Sequence, residues 1–390
     1  MTQPAAVTAR TNTILSLAAA ALIALSSACG HVPPETVPSA GDPPPTSEAH
    51  RIPAPDLTPR VDGGYAWNLP PGFAPPLVPR HNPMSEAKVE LGRRLFFDPA
   101  VSGDGSLSCA GCHRPERAFT DGHAQAVGAT GQQHPRSSMA LINVAYSPSY
   151  TWVGDELLQL EDQIRIPLFN EDPIEMGLAG REREMLDRLK ADPRYPPLFR
   201  AAFAERGARA AEPDVDEVID ALAAYVRSLI SAESPYDRRV FADEAGALSP
   251  AAERGMELFF SVELACGTCH GGIAFAGPLR STRSPDTEPQ LEHNGLLADA
   301  AARFKVPTLR NIALTGPYMH DGRLATLDDV LDHYASGGVP GEGRSEQIRG
   351  FSLDEGQRRD LLAFLESLTD DNLATDPRFA NPFADGMIGG

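Results

Sequence analysis

The chain has 390 residues, 42% of them hydrophobic, which is enough for two or three domains with buried cores. Its formal net charge is −19, from 34 basic and 53 acidic residues. This acidic balance argues against nucleic acid and anionic membranes as partners, because both would be repelled, and it favours a partner with a basic patch.

Residues 1–28 have the pattern of an export signal. Arg10 precedes an apolar run, residues 14–25, which is shorter than the roughly 20 residues that a bilayer span needs. The small residues 26–28 suit a cleavage site, and Cys29 follows at once, so lipid attachment and simple secretion both stay open. We predict a signal peptide, no membrane span, and an exported protein in the periplasm or on the outer cell surface.

Residues 29–62 are rich in proline, with serine, threonine and glycine. Such a composition buries too little apolar surface to offset the conformational entropy lost on folding. We predict a disordered tether here; an ordered strap over the first domain is the alternative.

Two copies of the pattern C-x-x-C-H organise the rest of the chain. The residues are Cys109, Cys112 and His113 in the first copy, and Cys266, Cys269 and His270 in the second. The pattern is typical of c-type haem attachment, in which each thiol adds to a haem vinyl group and the histidine becomes the proximal iron ligand. Zinc sites, thioredoxin-like pairs and disulfides are the alternatives, and none explains a histidine after each second cysteine. We predict two c-type haems.

The residues before the two motifs repeat. GRRLFF at 92–97 precedes the first motif, and GMELFF at 255–260 precedes the second. Both segments lie on predicted helices, with Ser85 and Ser249 as plausible N-caps.

One helix is predicted far downstream of each motif, and the two helices match. AYVRSL at 224–229 follows the first motif, and AFLESL at 363–368 follows the second. Apolar positions in both recur at intervals of three and four, as a helix packed on a core requires. Ser352 and Glu355 have the spacing of a capping box at the start of the second of these helices.

This repeated order predicts a mainly α fold with two cytochrome c-like domains that arose by internal duplication. We assign residues 63–245 to the first domain, 246–370 to the second and 371–390 to a C-terminal tail. Two unrelated helical segments would be the alternative, but the order of the elements and the motif repeat together.

The stretch between the motifs is too long for a bare connection, so function is expected there. In this stretch Glu175 could take a proton from hydrogen peroxide and return it to the leaving oxygen, and the Gln163 amide could hold the peroxide. Pro167 would keep a larger side chain away from the iron. From the pattern alone, however, Glu175 is more often a cap or ion-pair residue and Trp152 a core residue. His134 is interpreted as a solvated loop histidine.

Residues 84–370 resemble the bacterial dihaem cytochrome c peroxidase and MauG superfamily. Besides the two haem motifs, the resemblance is carried by PIEMG at 173–177 and by VPTLRN at 306–311, which runs into PYMHDG at 317–322. It implies that peroxide reacts at the haem of the first motif, with the peroxidatic domain first and the electron-transfer domain second.

The resemblance also implies roles for single residues. Gln163 and Glu175 would be the distal groups of the first haem, with Pro167 beside them and Glu175 as the acid–base residue. Trp152 would lie between the haems and couple them. The interval from Gln163 to Glu175 is longer than the family usually has, which we interpret as a short loop insertion.

The second haem distinguishes the branches of the family. Counted from His320, the peroxidases have a Met where this chain has Tyr334, and MauG-like proteins have a Tyr. Tyr334 also falls on an apolar helical stripe, where a core tyrosine is the alternative, and Met319 and His333 are rival ligands. A phenolate is a hard anion that favours oxidised iron, so a Tyr334-ligated haem would store oxidising equivalents rather than wait for an electron.

Three further segments, 65–73, 82–85 and 134–138, look most like the MbnH branch. Its members pair with a copper-binding MbnP-like protein and oxidise a tryptophan on it to kynurenine. Leu264 stands where MauG has a surface tryptophan, so a MauG-like exit route is not expected.

Family members also bind calcium between the domains, through an Asn side chain and two carbonyls. These positions match Ser137 for the side chain, and Thr315 and Pro317 for the carbonyls, so the resemblance implies a Ca²⁺ with a changed shell.

Together these features predict an exported dihaem peroxidase-like oxidoreductase that uses hydrogen peroxide to oxidise a secreted protein partner, such as an MbnP-like copper-binding protein. One alternative is a cytochrome c peroxidase that draws electrons from a small cytochrome or a cupredoxin. The other is a non-catalytic dihaem electron carrier.

Overall fold

A computed structural model describes residues 65–154, 157–298 and 303–383, all of which fall within one unit, Ala54–Gly390. Helices dominate, so the prediction of a mainly α protein is confirmed. Outside the described residues lie the predicted signal peptide, the predicted tether with Cys29, and residues 384–390.

The helices up to residue 228 surround the first motif. They are α1 (Glu86–Phe97), α2 (Cys109–Cys112), α3 (Leu160–Phe169), α4 (Glu182–Ala191), α5 (Tyr195–Ala202) and α6 (Val215–Ser228). The helices of the following part surround the second motif. They are α7 (Pro235–Phe241), α8 (Pro250–Phe259), α9 (Cys266–Cys269), α10 (Leu327–Ala335) and α11 (Glu355–Glu366). A short antiparallel pair, β1 (Leu291–Glu292) and β2 (Phe304–Lys305), precedes α10.

Helices α1 and α6 cross at very close range. A Cβ on Gly92 would lie 1.9 Å from the carbonyl oxygen of Ala221, so only glycine permits this approach. Next to the crossing, Tyr225 packs on Phe96 with ring centroids 5.1 Å apart, and Phe96 lies 6.5 Å from the His113 ring. The crossing therefore builds the wall behind the first motif.

Helices α8 and α11 cross in the same way beside the second motif. A Cβ on Gly255 would lie 1.9 Å from the carbonyl oxygen of Asp360. Phe364 packs on Phe259 with ring centroids 5.2 Å apart, which matches the contact between Tyr225 and Phe96. The two predicted pairs of early and late helices thus pack alike.

Two of the predicted helix caps are confirmed, and one is wrong. Ser85 and Ser249 cap α1 and α8, each accepting a hydrogen bond from a backbone N–H of the first turn. The predicted capping box at Ser352 is wrong, because α11 begins later and its N-cap is Asp354, which forms a reciprocal box with Gln357. The predicted pair, Ser352 and Glu355, and the observed pair, Asp354 and Gln357, have the same spacing, and aspartate caps a helix as well as serine does.

The two halves have separate hydrophobic cores. The first core also includes Leu373 and Phe379, which are only 2% and 5% exposed, from the segment predicted as a tail. The Phe379 carbonyl accepts a 2.9 Å hydrogen bond from the Tyr225 hydroxyl. Residues 371–383 therefore return to the first half and complete its core.

Buried polar groups join the two halves. Asn311 Nδ2 donates to Ser231 Oγ over 2.8 Å, and Asn143 Nδ2 donates to the Ser231 carbonyl over 3.1 Å. Arg310, fully buried, forms two 2.7 Å hydrogen bonds with the carboxylate of Asp237. Within the described ranges, no helix is both long and apolar enough to cross a membrane.

Candidate functional site

The first motif forms the single-turn helix α2, and His113 caps its C-terminus. The Nδ1 atom of His113 lies 2.8 Å from the Phe119 carbonyl, which identifies Nε2 as the nitrogen that could bind a metal. Burial lowers the pKa of His113, so the imidazole is neutral, as a ligand must be. Burial also raises the pKa of Cys109 to about 12 and that of Cys112 to about 11, so neither is a free reactive thiolate.

The second motif repeats this geometry. Helix α9 carries the two cysteines, and Nδ1 of His270 lies 2.9 Å from the Phe275 carbonyl. Burial lowers the pKa of His270 and raises that of Cys266 to about 11. A largely apolar cavity opens over His270 and the two cysteines, lined by residues of both halves of the chain.

Three candidate iron ligands at the second site differ in their position relative to the cavity. Tyr334, on α10, lines the same cavity as His270, and burial raises its pKa. Met319 lines the cavity too, with its Sδ atom 3.7 Å from Asn294 Nδ2. His333 is held outside the cavity lining, because its Nε2 atom lies 2.9 Å from the Asn294 carbonyl.

His320 and its neighbours form another part of the cavity wall. The His320 ring stacks on Phe304 with centroids 4.0 Å apart, and its buried Nδ1 atom has no hydrogen-bond partner among the described residues. Thr315, Pro317 and Ser137 line the cavity as well. The Ser137 hydroxyl donates to the carbonyls of neighbouring residues 319 and 320, over 3.2 and 3.3 Å.

Trp152 joins the two halves beside this cavity. Its Nε1 atom donates a 2.9 Å hydrogen bond to the Ser137 carbonyl, and its own carbonyl accepts one from the Lys305 backbone N–H. The Lys305 ammonium is buried against Ser147 and Ser149, and burial lowers its pKa to about 8. Sequence reasoning missed Lys305, although a lysine inside an apolar run just before VPTLRN was a usable signal.

Gln163 and Pro167 both lie on α3, and Glu175 follows on the loop after it. The loop is tied back to the helix, since the backbone N–H of Met176 donates to the Pro167 carbonyl over 2.8 Å. The Oε1 atom of Gln163 is buried and has no hydrogen-bond partner in the described part of the chain. This oxygen is therefore available to accept a hydrogen bond.

Burial raises the pKa of Glu175, and the charge of Glu175 helps to raise the pKa of Cys112, so the two side chains interact electrostatically. The Oε1 atom of Glu175 lies 3.9 Å from Nε2 of His134. His134 was expected to be a solvated loop residue, but its side chain is only 26% exposed. The two residues are far apart in sequence, so no local pattern could have paired them.

These features fit two covalently bound haems. Each histidine is buried and oriented by a carbonyl through Nδ1, and Gln163 offers a buried amide oxygen on α3. The fit rests on the donors themselves: neutral imidazoles whose Nε2 atom could bind a metal, and cysteine pairs one helical turn apart.

Comparison with known proteins agrees with this assignment. Residues 86–245 match the family model described as di-haem cytochrome c peroxidase. The methylamine utilization protein MauG of Methylorubrum extorquens is 38% identical over 308 residues, which cover 74% of this chain and 80% of that protein. The chain belongs to the di-haem cytochrome c peroxidase family. It is therefore an oxidoreductase, and membership implies two c-type haems.

Both branches of the di-haem peroxidase family are represented among the relatives. The cytochrome-c peroxidase IdrP1 of Denitromonas iodatirespirans is 32% identical over 360 residues, covering 82% of this chain and 92% of that protein. A solved structure of a MauG-like protein associated with microbial copper homeostasis has a TM-score of 0.77 and 37% identity, and covers 82% of this chain and 99% of that one.

Proposed function

We propose that this di-haem peroxidase is exported and uses hydrogen peroxide at the first haem to oxidise a protein partner, in the manner of the MauG and MbnH-like branch. Oxidising equivalents would be stored or relayed at the second site. The observation that carries the proposal is that Tyr334 and His270 face the same cavity, while His333 is held outside it.

We assign the chain to two cytochrome c-like domains, residues 63–245 and 246–370, related by internal duplication. The matching helix crossings at Gly92 and Gly255 support the duplication. The first haem would be held by the motif ending in His113 and the second by the motif ending in His270. When bound, these groups supply iron centres that exchange electrons with peroxide and with the partner.

Glu175 and Gln163 handle the peroxide. The Glu175 carboxylate takes a proton from the oxygen that approaches the first site and returns it to the departing oxygen, which leaves as water. Burial raises the pKa of Glu175 and so brings it closer to the working pH of an acid–base group. The unpaired amide of Gln163 holds the peroxide, and Pro167 offers no atom that could compete for iron.

Tyr334 would be a second protein ligand, beside His270, for the iron held at the second site. Binding to the metal would displace the phenol proton of Tyr334. The positive charge of the metal would offset the effect of burial, which raises the pKa of Tyr334 when no metal is bound. A phenolate stabilises the oxidised state, whereas a thioether such as that of Met319 stabilises the reduced one. Trp152 would carry electrons between the sites, because it contacts both halves and lines the cavity.

The test is Tyr334→Phe, with Tyr318→Phe as the matched control, because Tyr318 lines the same cavity but donates its hydroxyl to the Ile312 carbonyl. We expect Tyr334→Phe to abolish the tyrosinate vibrations in resonance Raman spectra and to make the second haem easier to reduce. Unchanged spectra in Tyr334→Phe, with a changed spectrum in Met319→Leu, would instead support the cytochrome c peroxidase that draws electrons from a small cytochrome or cupredoxin.

A secreted copper-binding protein of the MbnP-like kind is the proposed partner. Similarity to the MauG-like protein associated with microbial copper homeostasis supports this choice, and the net charge of −19 suits a partner with a basic face. Incubating the partner with peroxide and the enzyme should convert a tryptophan on it to kynurenine, which mass spectrometry would detect as the gain of one oxygen and the loss of one carbon. A partner left unmodified, alongside rapid oxidation of a small cytochrome, would contradict the assignment.

We also propose a calcium ion held by the carbonyls of Thr315 and Pro317 with the hydroxyl of Ser137. Calcium accepts such mixed oxygen donors, and the three residues line one cavity. A chelator should lower the melting temperature of the wild-type protein, and added Ca²⁺ should restore it. If neither the chelator nor added Ca²⁺ changes the melting temperature, the proposed calcium site is wrong.

A further inference from the structure

Three side chains from three separate elements meet at the beginning of α3. His81 lies in the segment before α1, Glu161 in the first turn of α3 and Asp220 on α6. A ring nitrogen of His81, one carboxylate oxygen of Glu161 and one of Asp220 all lie within 4.8 Å of one another. This is the separation of donor atoms that share a single cation.

Glu161 contributes a buried oxygen that lacks a partner. The residue is 5% exposed, and its Oε1 atom accepts 2.7 Å hydrogen bonds from Asn82 Nδ2 and from Nη2 of Arg227. Its other oxygen, Oε2, has no hydrogen-bond partner among the described residues. Burial acts to raise the pKa of Glu161, but the charge and hydrogen bond of Arg227, together with the hydrogen bond from Asn82, lower the pKa on balance. Glu161 therefore offers a charged, buried oxygen that a cation could bind.

The segments that carry the three donors are tied together. Asn82 is fully buried and directly follows His81 in the chain. Its Nδ2 atom donates both to Glu161 Oε1 over 2.7 Å and to the Asp220 carbonyl over 2.9 Å. One amide therefore ties the segment that carries His81 to the two elements that carry the carboxylates.

The nearby cations do not occupy this position. The ammonium of Lys88 donates to Asn82 Oδ1 and to the Pro83 carbonyl, both over 2.9 Å. Arg227 is engaged with the other oxygen of Glu161. Burial, followed by the charge of Glu161, raises the pKa of Asp220 to about 7, so the existing cations leave the second carboxylate poorly compensated.

We propose that His81, Glu161 and Asp220 form a binding site for one divalent transition-metal cation of the zinc type. One imidazole nitrogen with two carboxylate oxygens suits Zn²⁺, whereas Ca²⁺ and Mg²⁺ prefer shells made of oxygen alone. With three protein donors, a water molecule would complete the shell. The site is distinct from both haem motifs. Its ligand Glu161 lies in the first turn of α3, the helix that also carries Gln163.

The test uses the full-length, untagged protein with both haems attached and excess Ca²⁺ present throughout. Isothermal titration with ZnCl2 should show one zinc ion per chain. His81→Gln and Asp220→Asn should each weaken binding at least tenfold. His123→Gln is the matched control, because His123 is also exposed but lies outside the cluster, and it should bind zinc as the wild type does.

Zinc K-edge absorption then identifies the donors. Nitrogen and oxygen scatterers without sulfur are expected, since sulfur would indicate zinc on cysteines that failed to receive haem. The proposal is overturned if the wild type binds no zinc, if His81→Gln binds it unchanged, or if the spectrum shows sulfur. Because His81 is exposed, His81→Gln keeps its fold even if Asp220→Asn does not.

Discussion

Nε2 of His134 lies 3.9 Å from Oε1 of Glu175, yet the two residues do not form an ion pair at neutral pH. Burial lowers the pKa of His134 below its ordinary value, so the imidazole is neutral. Burial also raises the pKa of Glu175, and no cation counters this. The carboxylate is therefore free to exchange a proton with substrate rather than being held by its neighbour.

We predict that Glu175→Gln slows the reaction with hydrogen peroxide by about 10²–10⁴-fold, the usual contribution of a general acid–base group. Stopped-flow absorbance at the Soret band measures this rate. In the wild type the rate should increase with pH through the raised pKa of Glu175, because the carboxylate is the form that accepts a proton. That increase should vanish in Glu175→Gln. His134→Gln, as the control, should stay within about threefold of the wild type, and an equal loss in both variants would contradict this assignment.

Trp152→Phe should uncouple the two haem sites. Phenylalanine is much harder to oxidise than tryptophan, and it cannot donate the 2.9 Å hydrogen bond to the Ser137 carbonyl. After peroxide is added, the spectral change at the second haem should slow by at least tenfold. Trp67→Phe is the control, since Trp67 is the other of the two tryptophans and packs edge-to-face against Tyr65. A similar slowing in both variants would point to general destabilisation instead.

Gly255→Ala should destabilise the second half by about 3 kcal/mol or more, since the new Cβ would lie 1.9 Å from the Asp360 carbonyl oxygen. Gly356→Ala is the matched change in the partner helix, where the nearest atom is the Asp354 side chain at 3.1 Å. It should be neutral or stabilising by up to about 1 kcal/mol, because alanine favours the helix. Chemical denaturation followed by circular dichroism gives both values, and equal effects would contradict the close crossing.

Phe379→Ala should cost about 3–5 kcal/mol of folding free energy, the range for removing a fully buried aromatic ring. The residue is 5% exposed and belongs to the first core. Phe383→Ala, which removes a partly buried ring from the same segment, should cost clearly less. Guanidinium unfolding monitored at the first haem measures both. If neither variant shifts the transition, the segment does not support that core in solution.

Local patterns predicted the early and late helices of each half and their order. The caps at Ser85 and Ser249 and the repeated glycine before each motif need only neighbouring residues to be recognised. The true start of α11 was missed because two overlapping capping patterns compete, and sequence alone does not rank Asp354 over Ser352.

The site was predicted where it depends on a motif, and missed where it depends on tertiary contacts. The haem motifs and the positions of Gln163 and Glu175 were available from the chain. The approach of His134 to Glu175 and the meeting of His81 with Asp220 join residues more than 40 positions apart, and only the packed fold brings them together.

The return of residues 371–383 to the first half has a consequence for biogenesis. During synthesis, the part of the chain around Cys109 and Cys112 emerges long before Leu373 and Phe379. Cofactor ligation at the earlier motif can therefore meet an unfinished fold whose thiols are still accessible, and the arrival of the last segment would then close it.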